Sequence, residues 1–200
     1  MPRLTLIAVT LRPAARLRGV ACCAASLCAV CLLAGCTATL KPKDFAGTGP
    51  AFDPVAFWTG RTSSWGVIEN RGGAPTAIVT TATEGTPEGD GGLHMIQHVT
   101  TGGKTTVRDW HIRRTSPGHF EATANDVVGT ARGAPSGRTL HWTWTLAAKP
   151  GNGLYNVKMD QWMYLADNGT LLNRTTVTKL GVRIAEISEQ FVREPKTGSR

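Results

Sequence analysis

Leu140-His141-Trp142-Thr143-Trp144-Thr145-Leu146 alternates apolar and polar side chains without a break. A period of two belongs to a β-strand, in which successive side chains point to opposite faces. Leu140, Trp142, Trp144 and Leu146 therefore share one face, and His141, Thr143 and Thr145 share the other. Thr106, Arg108, Trp110 and Ile112 repeat the pattern, less cleanly, against Val107, Asp109 and His111. Short runs rich in Val, Ile, Thr and Trp recur along the chain, and strands are expected near Ser64–Asn70, Thr76–Thr83, Leu93–Thr101, Thr105–Arg114, His119–Ala124, Val127–Arg132, Thr139–Ala147, Leu154–Leu165, Thr170–Lys179 and Val182–Val192. Between them lie turn signals such as Arg71-Gly72-Gly73, Thr101-Gly102-Gly103, Pro135-Ser136-Gly137 and Asn168-Gly169. No long segment has helical periodicity. The expectation is an all-β fold, an antiparallel barrel of about eight to ten strands. Short links favour an up-and-down order over a Greek key, and even the longest, Ala82 to Gly92, is modest.

The five cysteines all precede residue 37: Cys22, Cys23, Cys28, Cys31 and Cys36. Arg3, Arg12, Arg16 and Arg18 come first with no acid among them, and Gly19–Gly35 is then entirely apolar or small. A basic start, an apolar run and a small-residue end describe a secretory signal, and the run is too short and too rich in Ala and Gly for a membrane span. Leu33-Ala34-Gly35-Cys36 resembles the lipobox of bacterial lipoproteins. That resemblance implies cleavage after residue 35 and acyl chains, palmitate among them, on Cys36, with the membrane as partner. The implied address is the bacterial cell envelope. In a Gram-negative host it is the outer membrane facing the periplasm, because Thr37 rather than Asp follows the cysteine. The expected organisation is a signal peptide over 1–35, a lipidated cysteine and flexible tether over 36–54, one barrel domain over 55–195, and a disordered tail over 196–200.

Removal of the leader takes four arginines and no acid, so the net charge falls from +8 to +4. The remaining basic residues are scattered, whereas a nucleic-acid footprint needs a concentrated stripe. No nucleic-acid partner is expected. With one lipidated cysteine left, no disulfide is expected either, and the domain must be held by its core.

Chemistry-bearing residues are sparse. His94-Met95-Ile96-Gln97-His98 has the spacing of a helical zinc motif, but Met follows the first His, and on a strand the two rings stand about 13 Å apart. His111, His119 and His141 belong to other runs. No metal is expected. The chain has no Gly-x-Ser-x-Gly elbow, no phosphate-binding loop and no dinucleotide fingerprint, so neither catalytic residues nor a cofactor are assigned.

All six tryptophans follow Cys36, and a small disulfide-free β domain needs such bulk in its core. Trp110, Leu140, Trp142, Trp144 and Met159 form a candidate lumen for an apolar ligand. Arg108, Asp126 and Asp160 are the candidate polar groups at its mouth.

Phe57-Trp58-Thr59-Gly60, Ser64-Trp65-Gly66-Val67, Arg108-Asp109-Trp110, Asp126-Val127-Val128-Gly129, Asp160-Gln161-Trp162-Met163 and Asn173-Arg174, in that order, resemble a family of uncharacterised bacterial lipoproteins catalogued as domain of unknown function 3833. The resemblance covers most of the chain from Phe52 to Arg193 and implies no reaction. Trp58-x-Gly60 and Trp65-Gly66 are more weakly similar to the opening of lipocalins, which implies that Arg183 or Arg193 covers the tryptophan. The sequence favours a membrane-anchored envelope lipoprotein that binds a lipid or other apolar small molecule. An envelope interaction protein without a cavity is the alternative, and an enzyme acting on lipid or carbonyl substrates ranks third.

Overall fold

The computed structural model describes residues 40–149 and 153–195. The leader, Cys36 and the tail 196–200 lie outside the described residues. Ten antiparallel strands follow one another around a closed barrel: β1 (Gly60–Asn70), β2 (Pro75–Glu88), β3 (Gly92–Thr101), β4 (Lys104–Ser116), β5 (His119–Ala124), β6 (Ala131–Ser136), β7 (Thr139–Ala147), β8 (Asn156–Leu165), β9 (Leu171–Lys179) and β10 (Val182–Arg193). Each pairs with its sequence neighbour, and β1 closes the circle on β10, with Ser64 opposite Phe191 and Gly66 opposite Glu189. Closure leaves no free sheet edge, and the order is up-and-down as expected.

Two boundaries differ from the expectation. The stretch from Ala82 to Gly92 is not a link, because β2 runs on to Glu88 and pairs with β3 up to Gly92. The strand expected over 127–132 instead occupies 131–136. Gly133 lies opposite Trp142 in the β6–β7 ladder, and a Cβ built on it would stand 1.8 Å from the Trp142 ring. The glycine there marks close packing inside a strand rather than a turn. Val127 meanwhile forms a single bridge to Leu146.

One end of the barrel is plugged. Asp53 caps a short helix α1 (Pro54–Trp58) by accepting from the Val55 and Ala56 amides at 2.9 and 3.2 Å, with Pro54 at the first helical position. The turn directs Phe57 and Trp58 inward, where they meet Phe52 and Phe191 in tilted or edge-to-face contacts at ring distances of 5.2 to 6.2 Å. Leu93, Phe120, Leu140 and Leu171 complete this plug, all buried. Residues 41–54, expected as a flexible tether, pack here too. The Phe45 ring lies 5.7 Å from Trp162, tilted, and 5.8 Å from Tyr164, edge to face, and the Phe52 amide donates to the Gly137 carbonyl at 2.8 Å. Two phenylalanines in the segment, Phe45 and Phe52, supply the apolar surface that holds it down despite its prolines and glycines. The other end, where the β1–β2, β3–β4, β5–β6, β7–β8 and β9–β10 connections gather, has no such plug among the described residues.

Candidate functional site

Inward-facing side chains alternate along each strand and surround a cavity of about 280 Å³ that reaches from the α1 plug toward the unplugged end. A ten-strand barrel is wider than the eight-strand barrels whose interiors side chains just fill, so the four inward tryptophans, Trp58, Trp110, Trp142 and Trp144, do not exhaust the space. The wall is two-sided.

On β4, β7 and β8 the lining is mainly apolar, through Trp110, Ile112, Leu140, Trp142, Trp144, Met159 and Met163, with Thr106, Arg108 and Gln161 as its polar members. Trp110 stands edge to face with both Trp142 and Trp144 at 6.3 and 5.5 Å. All five lumen residues expected from the sequence line this cavity.

On β9, β10, β1, β2 and β3 the inward faces carry Asn173, Thr175, Glu189, Thr62, Ser64, Thr81, Thr83 and Gln97, and most are buried. Glu189 is the centre of this half. Its Oε1 accepts from the Ser64 hydroxyl at 3.0 Å and the Thr81 hydroxyl at 3.5 Å, and its Oε2 accepts from the Asn173 amide at 3.1 Å. The surface it still exposes faces the cavity it lines. Loss of hydration inside the barrel pushes its pKa above the usual carboxylate value, although its three donors and the Arg108 charge pull the other way.

Gly66 makes room for it. A Cβ there would stand 2.4 Å from Glu189 Cγ and 2.3 Å from the Ser188 carbonyl. The network continues across the lumen: Gln161 donates to Asn173 Oδ1 at 3.5 Å and accepts from the Trp144 indole at 2.8 Å, while Gln97 accepts from the Trp110 indole at 2.8 Å. The apolar wall is thus pinned to the polar one through two indole N–H groups. Trp58, at the plug, is the contrast: its buried indole nitrogen lines the cavity end and has no partner among the described residues.

Toward the mouth, Arg108 Nε donates to both oxygens of Asp126 at 2.8 and 2.9 Å. Its guanidinium lies 4.6 Å over the Trp144 ring. Both members of the pair are largely buried. Asp126→Ala leaves the guanidinium without its partner and is expected to cost about 2 kcal/mol, read as a lower urea midpoint at unchanged slope.

The chain matches the family model described as "Protein of unknown function (DUF3833)" over residues 30–193. It belongs to this family. No curated protein matches the sequence. Among solved structures, the DUF3833 chain is similar to the S-type phycobiliprotein lyase CPES from Guillardia theta. The identity is 6%, the TM-score 0.51, and the match covers 72% of this chain and 92% of that one. At that identity the likeness carries the barrel fold.

Among the mouth residues expected from the sequence, Arg108 and Asp126 meet, but Asp160 does not join them. On β8 it alternates with Met159 and Gln161, which point inward. It therefore faces out, 3.0 Å from His141 Nε2 on β7. The expected arginine cover of Trp58 is not found: Arg183 and Arg193 are exposed, and the plug phenylalanines take that place. Trp65 lies on the outer wall, 54% exposed.

The histidines also need a correction. His94 and His111, treated as unrelated in sequence, are paired across β3 and β4, and with Asp109 they bring possible metal-ligating atoms within 4.8 Å of one another. Their rings stack 4.6 Å apart and nearly parallel, at 5°. In-plane lone pairs on parallel rings do not converge on one ion about 2 Å from each nitrogen. Asp109 Oδ1 lies 2.7 Å from His94 Nε2, within hydrogen-bond distance, and 3.8 Å from His111 Nε2, on the outside of the barrel.

Glu189 is the residue that sequence reasoning missed. Its signal is Ile187-x-Glu189-x-Phe191, an acid between two apolar residues on one face of a strand.

Proposed function

We propose that this DUF3833 protein is a binding module for an apolar small molecule that ends in a hydrogen-bonding group, held in the barrel lumen. The observation that carries the reading is the two-sided cavity, a tryptophan wall facing a buried carboxyl. Its volume of about 280 Å³ is at the low end for ligand sites, which suits one acyl chain or a small ring system. Apolar burial along Trp142, Trp144 and Met159 supplies affinity without direction, and a few placed polar groups then fix orientation. Glu189 offers an acceptor, and the unpartnered Trp58 indole offers a donor deeper in. Phe191 touches Trp58 and follows Glu189 by two residues on the same face, so both polar points line the same cavity with the Glu189 carboxyl farther from the plug. A hydroxyl or amine end group complements Glu189, whereas a carboxylate end group opposes it whenever both are ionised.

We further propose that the domain is held to a membrane of the bacterial cell envelope by acyl chains on Cys36, on the strength of the leader and of Leu33-Ala34-Gly35-Cys36. More than one chain gives lasting attachment, since each buried methylene contributes about 0.8 kcal/mol and a single chain is marginal.

Titration of the purified protein with long-chain alcohols and with fatty acids of equal length, followed by tryptophan emission, tests the binding reading. The expected result is a saturable change, smaller in Trp144→Phe, with the alcohol bound at least tenfold more tightly than the acid at pH 8. Absence of any saturable change with either series, together with no co-purifying small molecule in organic extracts, overturns it.

A further inference from the structure

The unplugged end of the barrel differs from the plugged end in its surface as well as in its opening. Ile78, Val128, Tyr155, Leu180, Val182 and Ile184 are all large, apolar and exposed, and all lie in or next to the connections at this end. The same connections and the strand ends beside them bring Arg71, Lys104, Lys149 and Lys179. The Lys149 and Lys179 ammonium groups sit 4.3 and 5.4 Å from the centre of the Tyr155 ring, which gathers two loops into one basic, aromatic patch.

The acid within these connections, Asp126, is already held by Arg108. The nearest acids on the outer wall, Glu69 and Glu186, face each other across β1 and β10, with Glu186 3.4 Å from Arg183. Connections and strand ends at the plugged end instead hold Glu88, Asp90 and Asp167, with Arg138 paired to Asp167 at 3.0 Å. The barrel is therefore polarised, with cations and exposed apolar side chains ringing the cavity mouth.

Leu180 is the sharpest member of the ring. It forms a two-residue hairpin turn with Gly181, and both have positive φ, +50° and +79°. Such a turn favours Asn-Gly, and a leucine in the left-handed region is unfavourable. It is also 95% exposed. Folding gains nothing from leucine here on either count.

We propose that this rim docks on the surface of an anionic lipid bilayer, with the cavity mouth against the lipid. Leu180, Val182 and Ile184 enter the interfacial region, and the lysines and arginine pair with lipid phosphates. The combination of apolar insertion and attraction to anionic headgroups is the one that interfacial binding requires. A ligand of the class proposed above would then pass between bilayer and lumen without crossing water, but docking itself does not depend on that reading.

The test uses residues 41–200, a compact unit that closes its own sheet and carries no acyl anchor. Co-sedimentation is measured with vesicles of phosphatidylcholine alone and of phosphatidylcholine with one-third phosphatidylglycerol, alongside the melting temperature of each variant. Binding at least tenfold tighter to the anionic vesicles is expected. Leu180→Asn lowers that binding about tenfold while raising the melting temperature, because the turn is relieved. Lys149→Glu with Lys179→Glu removes the preference for anionic lipid. Leu172→Asn, an exposed leucine on the wall toward the plugged end, leaves binding unchanged. Equal binding to both vesicle types, no binding to either, or equal losses from Leu180→Asn and Leu172→Asn overturns the proposal.

Discussion

Gly133→Ala lowers stability by about 3 kcal/mol and shrinks the ligand cavity at the same time. The added methyl would lie 1.8 and 2.2 Å from two carbons of the Trp142 ring, far inside van der Waals contact. The obstacle is a rigid aromatic side chain, so it cannot be accommodated by bending a flexible tip. Trp142 can retreat only into the lumen it lines, toward Trp110 at 6.3 Å, and overpacking of this kind costs typically 1–3 kcal/mol. The upper end applies because β6 is held on both sides, by β5 and β7. Two readouts check it: the urea midpoint falls, and affinity for a long-chain alcohol falls with it. Gly133→Ala combined with Trp142→Leu recovers part of the stability, since the two changes share one space and are not additive. A single variant as stable as the parent, with unaltered tryptophan emission, would show that the ring and the glycine are not in contact.

That glycine also shows where the sequence was ambiguous. Gly133 beside Pro135 reads as loop, because glycine in a strand is ordinarily a weak point, and only the position of Trp142 across the ladder explains it. The apolar wall, by contrast, was legible. Leu140, Trp142 and Trp144 alternate so regularly that their face and its burial follow from pattern alone. The polar half was hidden for a physical reason. Period two says which residues share a face but not which face turns inward, and that choice belongs to the register of the whole barrel.

Ser64, Thr81, Thr83, Asn173 and Thr175 look like an outer surface until β10 and β9 place them around Glu189. Asp160 failed in the opposite direction. Its alternation with Met159, itself expected in the lumen, already placed it on the outside, where it meets His141. Similarly, Phe45 and Phe52 were outweighed in the sequence by the prolines and glycines around them, although an aromatic residue in a supposed tether is a reason to expect docking.

The two halves of the lumen also constrain each other. Trp110 spends its indole N–H on Gln97 of the polar half, and Trp144 on Gln161, which itself reaches Asn173, at 2.8 Å in both cases. The rings are therefore fixed in orientation as well as packed, and the cavity is held open by hydrogen bonds rather than left by poor packing. A ligand entering it meets preorganised walls, which lowers the ordering cost of binding.

Glu189→Gln is expected to change the pH dependence of stability more than its value at any one pH. Burial raises the pKa of Glu189 from its ordinary 4.5 in the unfolded chain. Below that value the group is protonated in both states and adds no pH dependence. As pH rises from 4.5 toward the raised folded value, the unfolded chain releases its proton while the folded barrel retains it. Stability therefore falls across this window, by about 1.4 kcal/mol for each unit of separation, and then levels off. Glutamine cannot titrate, so the difference between parent and variant should be constant at low pH, slope in favour of the variant through the window, and become constant again above it.

A pH-independent offset of about 1 kcal/mol against the variant is also expected. The glutamine oxygen can replace one carboxylate oxygen toward Ser64 and Thr81, but its amide would confront the amide of Asn173 unless that side chain turns over. Asn173 is not free to turn, because Gln161 already donates to its Oδ1. Thermal melts of both proteins from pH 4 to pH 9 separate the offset from the slope. A difference that stays flat over the whole range would mean that Glu189 titrates in the barrel as it does in water. The same variant should narrow the preference for a long-chain alcohol over the matching acid, since the opposing charge is gone.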